Sequence, residues 1–248
     1  MIVDQFGRQA ELFAGSSELH SEAALSVLVD AAQPTADNVV LACGPGTVVA
    51  AFARRLRQAV GLDATDAMLR QAQKRSVERS VPNTAWVLGD IYALPFGAES
   101  LDIVSCRFAF HHLQRPEAAL EEMKRVCRPD GRIVLCDAVA SDDPAKAAAF
   151  NRMERHRDST TVEFRPLSFL LRLFAQARLP APHVTAFQVP AEREEMISRS
   201  FPAGDDRALL RHMIDASVDA DTMGVNARRV DDIVRFAYPW AVRVAAKS

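Results

Sequence analysis

From residue 38 to residue 137, short apolar runs alternate with segments of helical periodicity, a pattern that a sheet with helices packed on its faces can bury. The runs predict strands at 38–42, 58–62, 84–88, 101–106 and 131–137, and the segments between them predict helices at 47–55, 65–79 and 116–127. Strands joined through helical crossovers lie parallel. The third helix opens at Pro116, where a missing N–H leaves no bond unmade, and its Ala119, Leu120, Met123 and Val126 share one face. Arg128-Pro129-Asp130-Gly131 then reads as a turn into the last of these strands.

The flanks follow a different rhythm. Phe6, Ala10 and Phe13, then Leu25, Leu28 and Val29, recur at helical spacing before Pro34, which predicts two helices within residues 1–33. After Asp137 come a helical stretch at 141–158 rich in Ala and Arg, a helix at 166–178 opened by Pro166, a strand near 183–189 and a helical segment at 192–219. The final apolar run, 232–245, contains Pro239, which cannot donate to a ladder and so predicts a sheet edge or a bulge there.

With 49% apolar and 25% charged residues among 248, the chain has the composition of one globular α/β domain with insertions, so 1–248 is expected to be a single domain. The net charge is −2 and basic residues are interspersed with acids, which argues against a nucleic-acid partner. Cys43, Cys106, Cys127 and Cys136 sit in or beside apolar runs without a CxxC pair, so buried free thiols are expected, with no metal site. Asp4, Arg8 and Glu11 interrupt the N-terminus and no apolar stretch reaches membrane-spanning length, so a cytoplasmic protein without a membrane partner is expected.

The first strand runs into Gly44-Pro45-Gly46, where the absent Cβ atoms let backbone approach a ligand, and the second ends in Asp63. A carboxylate only accepts, so Asp63 suits the paired hydroxyls of a ribose. The third glycine of the dinucleotide fingerprint would fall at Val49, which disfavours a nicotinamide-dependent oxidoreductase.

Four ordered segments extend this reading: Leu41-Ala42-Cys43-Gly44-Pro45-Gly46; Gly61-Leu62-Asp63-Ala64-Thr65-Asp66-Ala67-Met68-Leu69; Gly89-Asp90-Ile91-Tyr92-Ala93-Leu94-Pro95-Phe96; and Leu101-Asp102-Ile103-Val104 leading to His111-His112-Leu113 and Glu121 to Gly131. Together they resemble class I S-adenosylmethionine-dependent methyltransferases, within which the ubiquinone and menaquinone biosynthesis type (methyltransferase type 11) looks most similar. The resemblance implies a Rossmann-like, doubly wound α/β fold: a mostly parallel seven-stranded sheet, helices on both faces, an antiparallel last strand and a helical lid. The parts would be cap helices at 1–33, a cofactor-binding core at 38–137, and substrate or lid insertions at 141–165 and 190–225. It also implies S-adenosyl-L-methionine as cofactor, with Ala42, Gly44 and Gly46 beside its methionine part and Asp63, with Ala64, at its ribose. Met68, Gly89, Asp90 and Ile91 would surround the adenine, and Arg107 or Phe108 would face the sulfonium. One position departs from the family pattern: Val40 stands where an acid usually helps hold the methionine amino group.

Methyl transfer is an in-line displacement that needs alignment and exclusion of water more than a dedicated acid. Where the acceptor carries a proton to be lost, His111 or His112 is the candidate base, with His156 and His183 weaker ones; one ring of the His-His pair is also expected to fix its loop by hydrogen bonding. Phe13, Phe108, Phe110, Phe150, Met153 and Arg157 are expected to contact a small, apolar acceptor, aromatic or quinone-like. Two functions follow: methylation of oxygen, nitrogen or carbon of such a molecule, or, as Val40 allows, cofactor binding without methyl transfer. The chain is expected to act as a monomer or homodimer.

Overall fold

The computed structural model describes residues 22–35, 39–43, 46–200, 202 and 206–247. Phe6, Phe13, Gly44 and Pro45 lie outside them. In chain order the elements are α1 (Glu22–Ala32), β1 (Val39–Cys43), α2 (Thr47–Ala53), β2 (Gln58–Asp63), α3 (Asp66–Glu78), β3 (Thr84–Leu88), β4 (Leu101–Arg107), α4 (Pro116–Val126), β5 (Cys127–Ala138), α5 (Pro144–Arg157), α6 (Leu167–Gln176), β6 (His183–Glu192), α7 (Arg193–Ser198), α8 (Arg207–Asp215), β7 (Arg228–Val230) and β8 (Ile233–Ala246). A single 3-10 turn, Phe110–His112, follows β4.

The sheet is mixed, in the order β3-β2-β1-β4-β5-β8-β6, with β7 paired to β8. β1 to β5 run parallel, whereas β8 is antiparallel to both β5 and β6. Among the described residues the count is eight rather than the expected seven, because Asp231 and Asp232, both at positive φ, turn the chain back and add the three-residue β7. Helices cover both faces. Leu120, Met123 and Val126 of α4 with Leu170, Leu173 and Phe174 of α6 bury one face against Val104, Ile133 and Leu135. Leu28 and Val29 of α1 with Val49 and Phe52 of α2 bury the other against Ile103, Val134 and Val242. A third cluster joins the two insertions to β6 and β8, with Phe150, Met153 and Phe164 meeting Met196, Leu210, Ile214, Met223 and Trp240.

Three local expectations give way to tertiary contacts. Pro239 lies in β8, which is paired on both sides and is not an edge. Its carbonyl accepts from Val139 N (2.8 Å), so its donorless nitrogen points to the same side, where β5 has already ended at Ala138. Arg128–Gly131 is not a separate turn: β5 starts at Cys127, and these residues form an irregularity opposite Leu101–Ile103, closed by Asp130 N on Lys247 O and Lys247 N on Gly131 O. The helix expected from 141 begins at Pro144, because Asp143 accepts from Ala145 N and Lys146 N and caps it there. Asp143→Ala should therefore lower unfolding free energy by about 1 kcal/mol in urea titration, the usual size of a cap.

Candidate active site

The carboxyl ends of the parallel strands bring several of the expected residues to one edge. Gly46 caps α2 at φ 82°, and a Cβ there would sit 2.7 Å from Ala72 Cβ and 2.9 Å from Trp86 Cη2. Glycine is required at this point by backbone hand and by packing against α3 and β3, in addition to any ligand. Ala42 pairs with Gly61 and Ser105, one step before the strand ends.

Asp63 closes β2 beside that turn. Its Oδ1 accepts from Thr65 N (2.8 Å) and Thr65 Oγ1 (2.7 Å), which fixes the carboxylate ahead of α3 and makes Ala64 the link between them. Burial pushes the Asp63 carboxyl up from its ordinary value, and the bonds from Thr65 and Ala64 only partly offset this. Asp63 O also accepts from Gly89 N (3.0 Å), so the ends of β2 and β3 are tied together. Asp90 follows, exposed, with Oδ1 accepting from Tyr92 N (2.9 Å) in a tight turn that carries half-buried Ile91. Met68 is buried in the first turn of α3. Leu88, which sequence reasoning passed over, is 59% exposed at the tip of β3 between these two acids; a large apolar side chain left in water beside two acids is the signal that could have marked it.

At the end of β4 the chain is held tightly. Arg107 is buried, with its guanidinium 3.9 Å from the Phe108 ring centroid and 5.5 Å from that of Trp240. Phe108 adopts φ 58°, unusual for a residue with a Cβ, and meets Trp240 edge-on at 4.3 Å. Phe110 is buried in the core under α4.

The His-His segment is anchored from several directions. His111 Nδ1 lies 2.9 and 3.0 Å from the two oxygens of Asp137, and His111 N donates to Asp137 Oδ2 (3.1 Å). Burial alone would raise the Asp137 carboxyl, but His111, Arg243 and His112 outweigh it and hold the group below the ordinary carboxylate range. His111 stacks on Phe164 at 4.2 Å and lies 3.9 Å from His112. Its carbonyl accepts from Val162 N and Glu163 N, and Arg165 donates to the carbonyls of Phe110 and Leu113. His112 Nδ1 faces Thr160 O at 3.1 Å; a carbonyl only accepts, so this nitrogen carries the proton.

Burial, reinforced by His111, pushes His112 down to about 3 from 6.5. The folded chain keeps His112 neutral where the unfolded chain would take up a proton, so stability falls as pH drops from about 6.5 toward 3. Urea unfolding between about pH 7 and pH 5 should show this decline, and His112→Gln should flatten it.

The residues expected to meet the acceptor do not gather on one surface. Phe150 and Met153 are interior, packed against Phe164, Tyr238 and the second insertion. Arg157 is engaged within its own helix: Nε and Nη2 donate to Glu154 Oε2 at 2.9 and 2.7 Å, while Tyr238 Oη donates to Glu154 Oε1 at 2.9 Å. Glu154 is wholly buried, so this charge anchors α5 to β8 rather than waiting for a carboxylate ligand. His183 is exposed at the start of β6, and His156 faces Asp206 O, both far along the chain from the strand ends described above. Cys127 and Cys136 are buried thiols pushed up to about 11, chiefly by burial, and are therefore protonated. Among the described residues, no helix is long and apolar enough to cross a membrane.

A left-handed glycine and a half-buried carboxylate at adjacent strand ends of an open α/β sheet fit proteins that bind a nucleoside-containing cofactor at that edge. Residues 39–135 match the methyltransferase domain family. It is 29% identical over 218 residues to the "uncharacterized methyltransferase YcgJ" of Bacillus subtilis (strain 168), covering 87% of this chain and 86% of that one. The crystal structure of YcgJ superposes with a TM-score of 0.83 at 25% identity, over 91% of this chain and 99% of that one. The ubiquinone/menaquinone biosynthesis C-methyltransferase UbiE of Roseobacter denitrificans is 32% identical over 114 residues, which is 45% of this chain and 46% of that one. A geranyl diphosphate C-methyltransferase of Streptomyces coelicolor, solved with S-adenosyl-L-homocysteine, shares the fold (TM-score 0.65, 16% identity, 96% of this chain and 82% of that one). The match of residues 39–135 to that domain family supports S-adenosylmethionine as the cofactor.

Proposed function

We propose that the chain transfers the methyl group of S-adenosylmethionine to oxygen, nitrogen or carbon of a small, apolar acceptor, aromatic or quinone-like. The observation that carries the cofactor part is Asp63, a carboxylate raised by burial at a strand end, whose charge two ribose hydroxyls would stabilise. Gly46 and Ala42 would lie beside the methionine part, Asp90 and Ile91 with Met68 and Gly89 would surround the adenine, and exposed Leu88 adds an apolar wall there. The cofactor supplies an electrophilic methyl group; the protein's task is to orient it and keep water out.

Arg107 fits the acceptor better than the sulfonium. Two like charges 4 Å apart repel by about 4 kcal/mol at an effective dielectric of 20, whereas an oxygen carrying negative charge would be attracted by as much. Phe108 and Trp240, already against the guanidinium, would form the apolar wall of that pocket. Of the two histidines, His112 is held neutral by burial, which leaves His111 as the candidate base. Distant kinship to UbiE, itself a ubiquinone/menaquinone C-methyltransferase, is what favours a quinone-like acceptor.

The reading is tested by incubating the protein with S-adenosylmethionine and a panel of phenols and hydroquinones and measuring S-adenosylhomocysteine. Product with at least one acceptor is expected. Tight cofactor binding with no turnover across the panel would favour binding without transfer, the function that Val40 allows.

A further inference from the structure

Asp137 has no part in the cofactor edge, yet it is 4% exposed, and His111 N, His111 Nδ1 and Ala138 N all converge on its two oxygens. An ionised carboxylate only accepts, so His111 Nδ1 must carry a proton and Nε2 must hold the lone pair in the neutral ring. Phe164 stacks on that ring, His112 lies against it at a tilt, and its Nδ1 edge meets Asp137. What remains is the Nε2 edge, which has no hydrogen-bond partner among the described residues. If Asp137 merely latched the loop, its bond to His111 N and the strap bonds at Val162, Glu163 and Arg165 would already suffice.

We propose that Asp137 is a positioning residue that holds His111 as the Nδ1–H tautomer with Nε2 as the proton acceptor, so that the methyl acceptor is a molecule that sheds a proton: a hydroxyl, a thiol or an acidic carbon. This rests on the methyltransferase reading above and narrows its acceptor class. In the step implied, the acceptor's O–H bond breaks and its proton goes to Nε2. The freed oxygen pair bonds the methyl carbon as the carbon–sulfur pair leaves on sulfur, and the imidazolium formed is balanced by Asp137.

Long-range proton–nitrogen NMR of histidine-labelled protein reads the tautomer without any acceptor. His111 is expected as Nδ1–H in the wild type and as a mixture of tautomers in Asp137→Asn, with His111→Gln identifying the signals. The second arm uses 4-nitrophenol, whose phenolate absorbs in the visible, added to the complex with S-adenosylhomocysteine. The wild type should lower the probe's apparent ionisation by about one pH unit, a tenfold change in the phenolate ratio, and Asp137→Asn should abolish the shift. An Nε2–H tautomer in the wild type, or a phenolate ratio equal in the wild type and Asp137→Asn, overturns the proposal. Failure of the cofactor reading would show separately, as absence of S-adenosylhomocysteine binding in calorimetry, and leaves the tautomer measurement intact.

Discussion

Glu154→Ala is expected to destabilise the fold by about 3 kcal/mol, the lower end of the range for breaking a buried ion pair from one side. Glu154 is wholly buried and takes two bonds from Arg157 and one from Tyr238, so its removal takes the counter-charge from a largely buried guanidinium. The low end applies because the Arg157 side chain keeps 24% exposure and regains some water. The paired variant Glu154→Leu with Arg157→Met should recover much of the loss, since apolar side chains of similar volume often replace a buried pair without penalty. By contrast, the exposed Arg70–Asp66 pair, one turn apart on α3, should contribute under about 1 kcal/mol. Urea unfolding of the variants checks both; a Glu154→Ala protein as stable as the wild type would return Arg157 to the acceptor site.

Gly46→Val is the other large effect. The left-handed backbone costs a residue with a Cβ about 1–2 kcal/mol, and forcing a branched side chain against Ala72 and Trp86 adds about 1–3 kcal/mol of overpacking. The sum, about 2–5 kcal/mol, should be seen as lost stability without any cofactor present. A loss confined to cofactor binding would mean that the glycine serves the ligand alone.

β1 to β5 and the helices between them were readable because each strand is a short apolar run and each helix has one apolar face, and both signals are local. Pro239 misled because the rule concerns its own donor, whereas what matters is whether the neighbouring strand still needs one at that level; β5 ends at Ala138 and does not. Arg128–Gly131 carries strong turn residues, yet Lys247, more than a hundred residues on, binds it into the sheet. The helical segment at 192–219 divides into α7 and α8, with Pro202 between them.

The candidate site divides in the same way. Asp63, Asp90 and Gly46 stand at the ends of local signals and could be named from them. The packing of Arg157, Phe150 and Met153 was not legible locally, because whether an arginine or an aromatic turns outward or into the core depends on Glu154, Tyr238 and residues far along the chain. Asp137 was missed although it bears the mark that exposed Asp63, a lone acid closing an apolar strand run.

On the proposed function, the edge formed by Gly46 and Asp63 holds an adenosyl cofactor. Calorimetric titration of S-adenosylhomocysteine into wild type and Asp63→Ala addresses it directly. One-to-one binding is predicted, weakened in the variant by about 1.5–3 kcal/mol, or roughly 10- to 150-fold, the range for hydrogen bonds to a charged group. No binding to the wild type, or equal affinity in the two proteins, would contradict it.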